Sequence, residues 1–134
     1  MYKRQGNTDG DLFIYIEALK TLITGDLIFN GKIPYMHDAY IEDWTKALNY
    51  IGDLDAEIYI PGHGDPGGKP ILIAMKHYLF ELRQRVLRQI KKGSSLKETQ
   101  NLVGPIFKKK YKSWKNLERI DSNIERAYKE FSVK

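Results

Sequence analysis

The sequence predicts a mixed α/β domain of the α+β kind, in which a short β-hairpin and one further strand are combined with three to four helices. Two stretches near the N-terminus are dominated by aromatic and β-branched residues, which is typical of strands. Further along, apolar residues recur every three or four positions, which is typical of amphipathic helices. With 134 residues, the chain is long enough for about one domain with its own core.

The strands are predicted from short apolar runs that are bounded by turn residues. Asp11–Ala18 has the sequence DLFIYIEA and Lys20–Thr24 has the sequence KTLIT. The tight connection between these two runs predicts a hairpin. The segment after Gly25–Asp26 is predicted to be a loop, and Glu57–Ile60 is predicted to be the third strand.

The first two helices are predicted from their apolar faces and their ends. Tyr40 to Ile51 carries apolar residues at helical spacing, and Asp38 is a candidate N-cap for this helix. The second helix is predicted to begin near Pro70, because proline is tolerated in a first helical turn. It is predicted to end near Lys92, where Gly93 stops it.

Two further helices are predicted in the last third of the chain. Ser95 and Glu98 have the spacing of a capping box, which predicts a helix start. Pro105 is predicted to close this short helix, because proline removes a backbone donor from a helix interior. The last helix is predicted over residues 117–131, where apolar residues again share one face.

The composition excludes several classes of protein and of site. Hydrophobic residues make up 42% of the chain and charged residues 29%, which is ordinary for a globular domain. No apolar run approaches the ~20 residues that a membrane-spanning helix needs, so no membrane partner is predicted. The chain has no cysteine. Disulfides and thiolate metal sites are therefore excluded, and any metal must be bound by His, Asp, Glu, Asn or water.

The net charge of +5 is concentrated late in the chain. Residues 108–112 contain four lysines beside Trp114, a combination that could contact nucleic acid or an anionic surface. The alternative is a solvated helix end and linker. No nucleic-acid-binding motif accompanies these lysines, so the second interpretation is favoured and nucleic acid is not predicted as a partner.

Three short glycine-flanked segments lie next to the predicted strands. They are GNTDGD at Gly6–Asp11, TGD at Thr24–Asp26 and PGHG at Pro61–Gly64. Glycine permits positive φ and close backbone approach, so a polar side chain at a strand end can point into a cleft. Asp26 offers a carboxylate and His63 an imidazole, which are ligands for zinc, iron or manganese. Each segment alone is a weak signal, whereas their joint order is specific.

The order GNTDGDLFIY, ITGDLIFNGKIPY, IYIPGHG, a long helix, SSLKE and SNIERAYKEF resembles the C-terminal half of a metallo-β-lactamase-fold hydrolase. The resemblance covers the chain from Gly6 onward. It implies an αββα sandwich with one or two metal ions, usually zinc, at one sheet edge. In this resemblance Asp26 would bridge two ions, and His63 would bind the second ion. The implied reaction is hydrolysis of an ester, thioester or amide bond of a small-molecule substrate by a metal-activated water.

Two departures from the family pattern bear on activity. Asn7 stands where many members have a histidine ligand, and an amide is a poorer zinc ligand than imidazole. The His-x-His-x-Asp-His signature of the N-terminal half is missing, since the chain contains only His37, His63 and His77. A catalytic zinc site needs about three protein ligands. The chain as given is therefore predicted not to be a competent hydrolase, although its parent would be.

The organisation of the chain is predicted in three parts. Residues 1–5, MYKRQ, resemble the translation of a transposase adapter that is used in sequencing-library preparation. Residues 6–68 are expected to form a β-rich half-domain with the metal site, and residues 69–134 the helical part of the same domain. The alternative is a natural short protein with a basic N-terminus.

Other polar residues have both a functional and a structural interpretation. His37 could contact substrate near the site mouth, although a loop position near a helix cap is favoured. His77 is interpreted as a packing or surface residue. Asp65 could orient His63, although a turn cap is favoured. Asp9 and Asp11 flank Gly10, and Asp11 resembles a family residue that usually orients loops and is not itself a metal ligand.

A different class of function is an interaction module without catalysis. The predicted strands carry apolar residues on both faces, and such strands are normally packed against other elements on both sides. The helices of this chain can cover only one side. The uncovered side is therefore predicted to mediate self-association or binding to a partner protein.

Overall fold

The fold is that of a computed structural model, which describes residues 2–3 and 12–133. The predicted order of strands and helices is observed, with one short additional strand at the start. The strands are β1 (Tyr2–Lys3), β2 (Leu12–Ile16), β3 (Thr21–Phe29) and β4 (Ile58–His63). The helices are α1 (Ile41–Gly52), α2 (Lys69–Lys91), α3 (Leu96–Lys110) and α4 (Ile120–Ser132).

The four strands form one sheet in the order β1–β2–β3–β4. The predicted hairpin is present, because β2 and β3 are antiparallel and a 3₁₀ turn over Glu17–Leu19 connects them. β3 and β4 are parallel, with α1 as the crossover. Ile23 is the register partner of Ile14 on one side and of Ile60 on the other.

One face of the sheet is buried beneath the helices. Phe13, Leu22 and Tyr59 lie on this face and are at most 1% exposed. On the opposite face, Ile14 is 43% exposed and Ile58 is 46% exposed. Within the described residues, the sheet is therefore covered on one side only, as expected because the helices of this chain can cover only one side.

The core joins the sheet to all four helices in one cluster of buried residues. The Trp44 side chain of α1 is fully buried, and its Nε1–H donates a hydrogen bond to the Leu27 carbonyl of β3 over 3.0 Å. On α2, Tyr78 packs edge-on against Phe107 of α3, with ring centroids 5.6 Å apart. No helix in the described part of the chain is long and apolar enough to cross a membrane.

β3 is longer than predicted, since it does not end at Thr24. The chain continues as a strand through Gly25 and Asp26 to Phe29. Gly25 has a φ of +54°, and the register with β4 shifts on both sides of it. The glycine therefore produces a bulge inside the strand, and the apolar residues after it rejoin the sheet. The loop predicted after Gly25–Asp26 was therefore wrong over Leu27–Phe29, whereas residues 30–39 lie outside the helices and strands, as predicted.

The N-terminus of α1 is capped differently from the prediction. Tyr40 occupies the N-cap position, so the prediction of Asp38 was wrong. The Glu130 carboxylate of α4 accepts hydrogen bonds from the backbone N–H of Ile41 over 2.6 Å and of Glu42 over 3.1 Å. A residue that is distant in sequence thus satisfies the orphan donors that a local cap normally satisfies.

The start of α3 was predicted correctly and its end was not. Ser95 and Glu98 form the capping box, with hydrogen bonds of 3.1 and 2.8 Å. Pro105 lies inside the helix, which continues to Lys110. Phe107 is fully buried beyond the proline. Burial of this aromatic ring offsets the roughly 3 kcal/mol that an interior proline costs.

Candidate metal site

The structure brings Asp26 and His63 together where β3 and β4 run side by side. Asp26 follows the bulge of β3, and His63 is the last residue of β4. His63 Nε2 lies 3.3 Å from Asp26 Oδ1. The Asp26 side chain is 41% exposed and the His63 side chain is 46% exposed, so both reach solvent.

Gly62 makes this approach feasible. A Cβ at residue 62 would overlap Asp26 Oδ1 and would lie 2.8 Å from the Gly25 carbonyl carbon. Any side chain at residue 62 would therefore push the carboxylate or the β3 backbone away. Gly62 of the PGHG segment therefore lets β4 pass directly against Asp26, and the next residue, His63, carries the imidazole.

His63 is held by the end of β3. Its imidazole stacks on the ring of Phe29, and its carbonyl accepts a hydrogen bond of 2.9 Å from the Asn30 backbone N–H. The Asn30 side chain donates to the carbonyl of Asp65 over 2.8 Å. Gly64 has a φ of +93° and lies against Asn30 so closely that a Cβ would overlap the Asn30 carbonyl. The turn after β4 is thus fastened on both sides of the histidine.

The donor atoms fit part of a metal site. Two ligand atoms bound at about 2.0–2.1 Å in a tetrahedral zinc site lie about 3.3 Å apart. The oxygen of Asp26 and the nitrogen of His63 have this separation, 3.3 Å. Among the described residues, no group of three or more His, Asp or Glu side chains could hold a metal ion. Asn7 lies outside the described residues, and so does the GNTDGD segment, Gly6–Asp11.

The other candidate residues have different surroundings. His37 lies in the segment between β3 and α1, with its ring 6.1 Å from that of Tyr35. His77 is on the solvent side of α2, where its Nε2 lies 3.1 Å from Lys110 Nζ. The Asp65 carbonyl accepts the hydrogen bond of the Asn30 side chain. Asp9 and Asp11 lie outside the described residues.

Sequence reasoning missed Phe29 and Asn30 as supports of His63. Both were assigned to a loop because Gly25–Asp26 was interpreted as the end of the strand. The apolar run Leu27–Phe29 was the available signal, since an isolated glycine inside a strand pattern indicates a bulge. The contact of Gly62 with Asp26 had no such signal, because it depends on the parallel pairing of β3 and β4.

Comparison with known proteins shows a similarity to one family over the first half of the chain. The sequence model of the Metallo-beta-lactamase superfamily matches residues 2–63, which include both Asp26 and His63. Over these residues the chain is similar to the metallo-β-lactamase superfamily. The matched region ends at His63, the residue on which the candidate site is built. Among curated protein sequences, none matches the chain.

Solved metallo-β-lactamase structures share the fold. TMB-1, whose structure was described in terms of substrate and inhibitor binding, is 28% identical with a TM-score of 0.53. DIM-1 metallo-beta-lactamase is 24% identical, and a metallo-beta-lactamase from Pontibacter korlensis is 21% identical, each with a TM-score of 0.54. These matches cover 59–60% of this chain. They cover only 39–40% of the three solved chains, so this chain spans less than half of their length.

Proposed function

We propose that Asp26 and His63 are metal ligands, and that the whole protein to which they belong is a metal-dependent hydrolase. The observation that carries the proposal is the 3.3 Å separation of Asp26 Oδ1 and His63 Nε2 beside Gly62. Zinc is the first choice of metal, in one or two ions, because carboxylate and imidazole are common zinc ligands; iron and manganese are the alternatives. The similarity of residues 2–63 to the metallo-β-lactamase superfamily supports the same reaction class.

The chain's own residues would contribute binding and orientation. His63 would offer Nε2 while its ring is held flat against Phe29. Asp26 would offer its carboxylate from a strand that Gly62 allows to lie close. Such metal centres supply a water of lowered pKa and a Lewis acid for the scissile carbonyl. The proposed substrate is a small molecule with an ester, thioester or amide bond.

Metal titration tests the ligand assignment. Calorimetric titration of the purified chain with zinc chloride should show saturable binding. Asp26→Asn and His63→Ala should each weaken this binding by at least about tenfold, which corresponds to ~1.4 kcal/mol. The matched control is His77→Ala, because His77 is also an exposed histidine but lies on α2 beside Lys110. Equal losses in His63→Ala and His77→Ala would contradict the proposed site.

A second part of the proposal is that this chain alone does not turn over substrate. Two ligands in the described residues are fewer than the about three protein ligands of a catalytic zinc site. We expect no zinc-dependent hydrolysis of ester or β-lactam substrates by the 134-residue chain. Stoichiometric tight zinc binding together with turnover that His63→Ala abolishes would overturn this part. Upstream sequence at the same genomic locus tests the parent, which should carry His-x-His-x-Asp-His.

An interaction module is the second candidate function. The observation that favours it is the exposed sheet face that contains Ile14 and Ile58. Contiguous apolar surface of this kind is typical of an interface. The proposed partner is a second copy of the chain or a segment that covers the sheet, and the oligomeric state of the isolated chain tests this candidate.

A further inference from the structure

A cleft separate from Asp26 and His63 lies between α4 and the segment that follows β3. Its volume is about 220 Å³. This is smaller than the roughly 300–1,000 Å³ of pockets for drug-sized ligands, so the cleft suits a ligand group of a few heavy atoms. The lining residues that bear on its chemistry are Tyr35, His37, Arg119, Glu125, Arg126 and Lys129.

The walls of the cleft are held rigidly by hydrogen bonds. Three side chains on the α4 side donate hydrogen bonds to backbone carbonyls of the opposite segment. Arg119 donates to residue 33 over 3.1 Å, Asn123 to residue 34 over 3.0 Å, and Arg126 to residue 39 over 2.6 Å. Asn123 also donates to the buried hydroxyl of Tyr78 over 2.9 Å. Three side chains thus fasten the segment to the α4 side of the cleft. The cationic groups are positioned before any ligand arrives, which lowers the entropic cost of binding.

The two guanidinium groups remain available for a ligand. The guanidinium carbon of Arg119 lies 5.9 Å from the ring centroid of Tyr35. That of Arg126 lies 4.6 Å from the ring centroid of Tyr40. Each uses one nitrogen in its bond to a carbonyl, and a guanidinium has five N–H donors. In the described part of the chain, neither arginine forms a salt bridge. The Glu130 carboxylate is within electrostatic range of Arg126 and offsets part of its charge.

The third cation of the cleft is paired with a carboxylate. Lys129 Nζ lies 2.9 Å from Glu125 Oε2, and both side chains reach solvent. Exposed i,i+4 pairs of this kind are weak, at about 0.3–0.5 kcal/mol. A stronger anion in the cleft can therefore compete with Glu125 for Lys129.

We propose that the cleft binds a small organic oxyanion, a carboxylate or a phosphate monoester. Arg119 and Arg126 would grip the oxyanion through their forked N–H donors, a geometry that matches carboxylate and phosphate oxygens. Lys129 would add a third positive charge after it leaves Glu125. The small volume restricts the ligand to the anionic end of a small molecule. This site needs no metal and does not depend on the function proposed for Asp26 and His63.

The proposal is tested by titrating the full chain with inorganic phosphate in one arm and with acetate in the other, in low-chloride buffer, by NMR chemical shift. Saturable binding is expected in at least one arm, and the stronger arm identifies the oxyanion. Arg119→Gln and Lys129→Gln should each weaken it by about fivefold to tenfold, because a charge-assisted hydrogen bond is lost. Glu125→Gln should strengthen it by about threefold, because Lys129 is released.

Two matched controls separate a built site from diffuse charge. Arg88→Gln removes an exposed arginine of α2 that does not line the cleft, and Glu17→Gln removes an exposed carboxylate of the 3₁₀ turn. Both should leave the affinity unchanged within about a factor of two. Equal weakening by Arg88→Gln, unchanged affinity in Glu125→Gln, or no saturation by either anion would overturn the proposal. If Arg119→Gln does not fold, the solvent-exposed substitutions Lys129→Gln and Glu125→Gln decide the outcome.

Discussion

The imidazole of His63 lies flat on the ring of Phe29, with ring centroids 4.6 Å apart and ring planes inclined by only 6°. The two residues are register partners at the ends of β4 and β3. Phe29 is itself buried, so it offers a fixed surface to the histidine. The orientation of the candidate ligand is therefore set by the pairing of two parallel strands, not by a flexible loop.

Replacement of Phe29 by leucine should loosen His63 without removing it. Phe29→Leu is expected to lower the free energy of unfolding by about 1–2 kcal/mol and to weaken zinc binding several-fold, because the stacked ring is lost. The control is Phe107→Leu, which removes another buried aromatic ring in α3. It should destabilise the chain similarly and leave zinc affinity unchanged. Denaturant unfolding and zinc titration of both variants check this, and equal zinc affinities would contradict it.

Substitution of Gly62 should separate the candidate ligands. In Gly62→Ala the added Cβ overlaps Asp26 Oδ1 and crowds the Gly25 backbone, so the strand or the carboxylate must move. We expect a loss of about 1–3 kcal/mol in stability and a clear loss of zinc affinity. Gly68→Ala is the control, because its nearest neighbour would be 3.5 Å away. Thermal melting and zinc titration compare the two. If both variants behave alike, close approach at Gly62 does not matter.

Sequence reasoning predicted the strands and helices correctly where local chemistry decides them. The capping box of Ser95 and Glu98 is one example, since both partners lie within one turn. The α1 cap was not predictable locally. It comes from Glu130, which is 89 residues away from Ile41 in sequence. No local sequence pattern indicates this hydrogen bond, because only tertiary packing brings the Glu130 carboxylate to the Ile41 N–H.

The length of β3 also could not be predicted from local sequence. Gly25–Asp26 has the composition of a turn, and an isolated strand would end there. The parallel pairing with β4 carries the strand on to Phe29, opposite His63. The motifs predicted that Asp26 and His63 belong to one site, which stays a prediction, whereas the strand pairing that places their side chains 3.3 Å apart had to come from the structure.

Glu81 is predicted to make stability fall in acid. Burial raises the pKa of its carboxyl, but hydrogen bonds and charges from Lys110 and Arg85 outweigh this and leave the pKa below its usual value. The unfolded chain then binds the proton more readily than the folded chain does. Stability from this group is present above about pH 4.5 and is lost as the pH falls through the lowered pKa. Denaturant unfolding between pH 7 and pH 3 should show the decline.

Glu81→Gln isolates this contribution. At pH 7 we expect the free energy of unfolding to fall by about 1–3 kcal/mol. Lys110, 2.6 Å from the Glu81 carboxylate, and Arg85, 3.0 Å from it, both lose their charged partner. The difference from the unmodified chain should shrink as the pH falls below about 4.5, where the native carboxyl is protonated too. Glu118→Gln, an exposed substitution in the 3₁₀ turn before α4, is the control and should be neutral. A difference that stays constant with pH would refute the assignment.

The outer face of the sheet carries a row of isoleucines. The register places Ile14, Ile23 and Ile60 side by side on three neighbouring strands. Ile16 and Ile58 lie two positions further along and share the same face, since side chains alternate along a strand. At about 25 cal/mol per Å², ~400 Å² of such surface left in water forgoes on the order of 10 kcal/mol. That is comparable to the ~5–15 kcal/mol stability of a whole domain.

The isolated chain is therefore expected to bury this face by self-association. Sedimentation velocity at increasing concentration should show oligomers or aggregates, and Ile14→Lys should shift the distribution toward monomer, because a lysine on the face cannot be buried unpaired. The control is Ile73→Lys on α2, since Ile73 is even more exposed, at 60%, but lies away from the sheet. It should leave the distribution unchanged. A monodisperse monomer with a sharp cooperative melt would show that the covered face alone holds the fold together, and that the isoleucine row is a tolerated surface and not an interface.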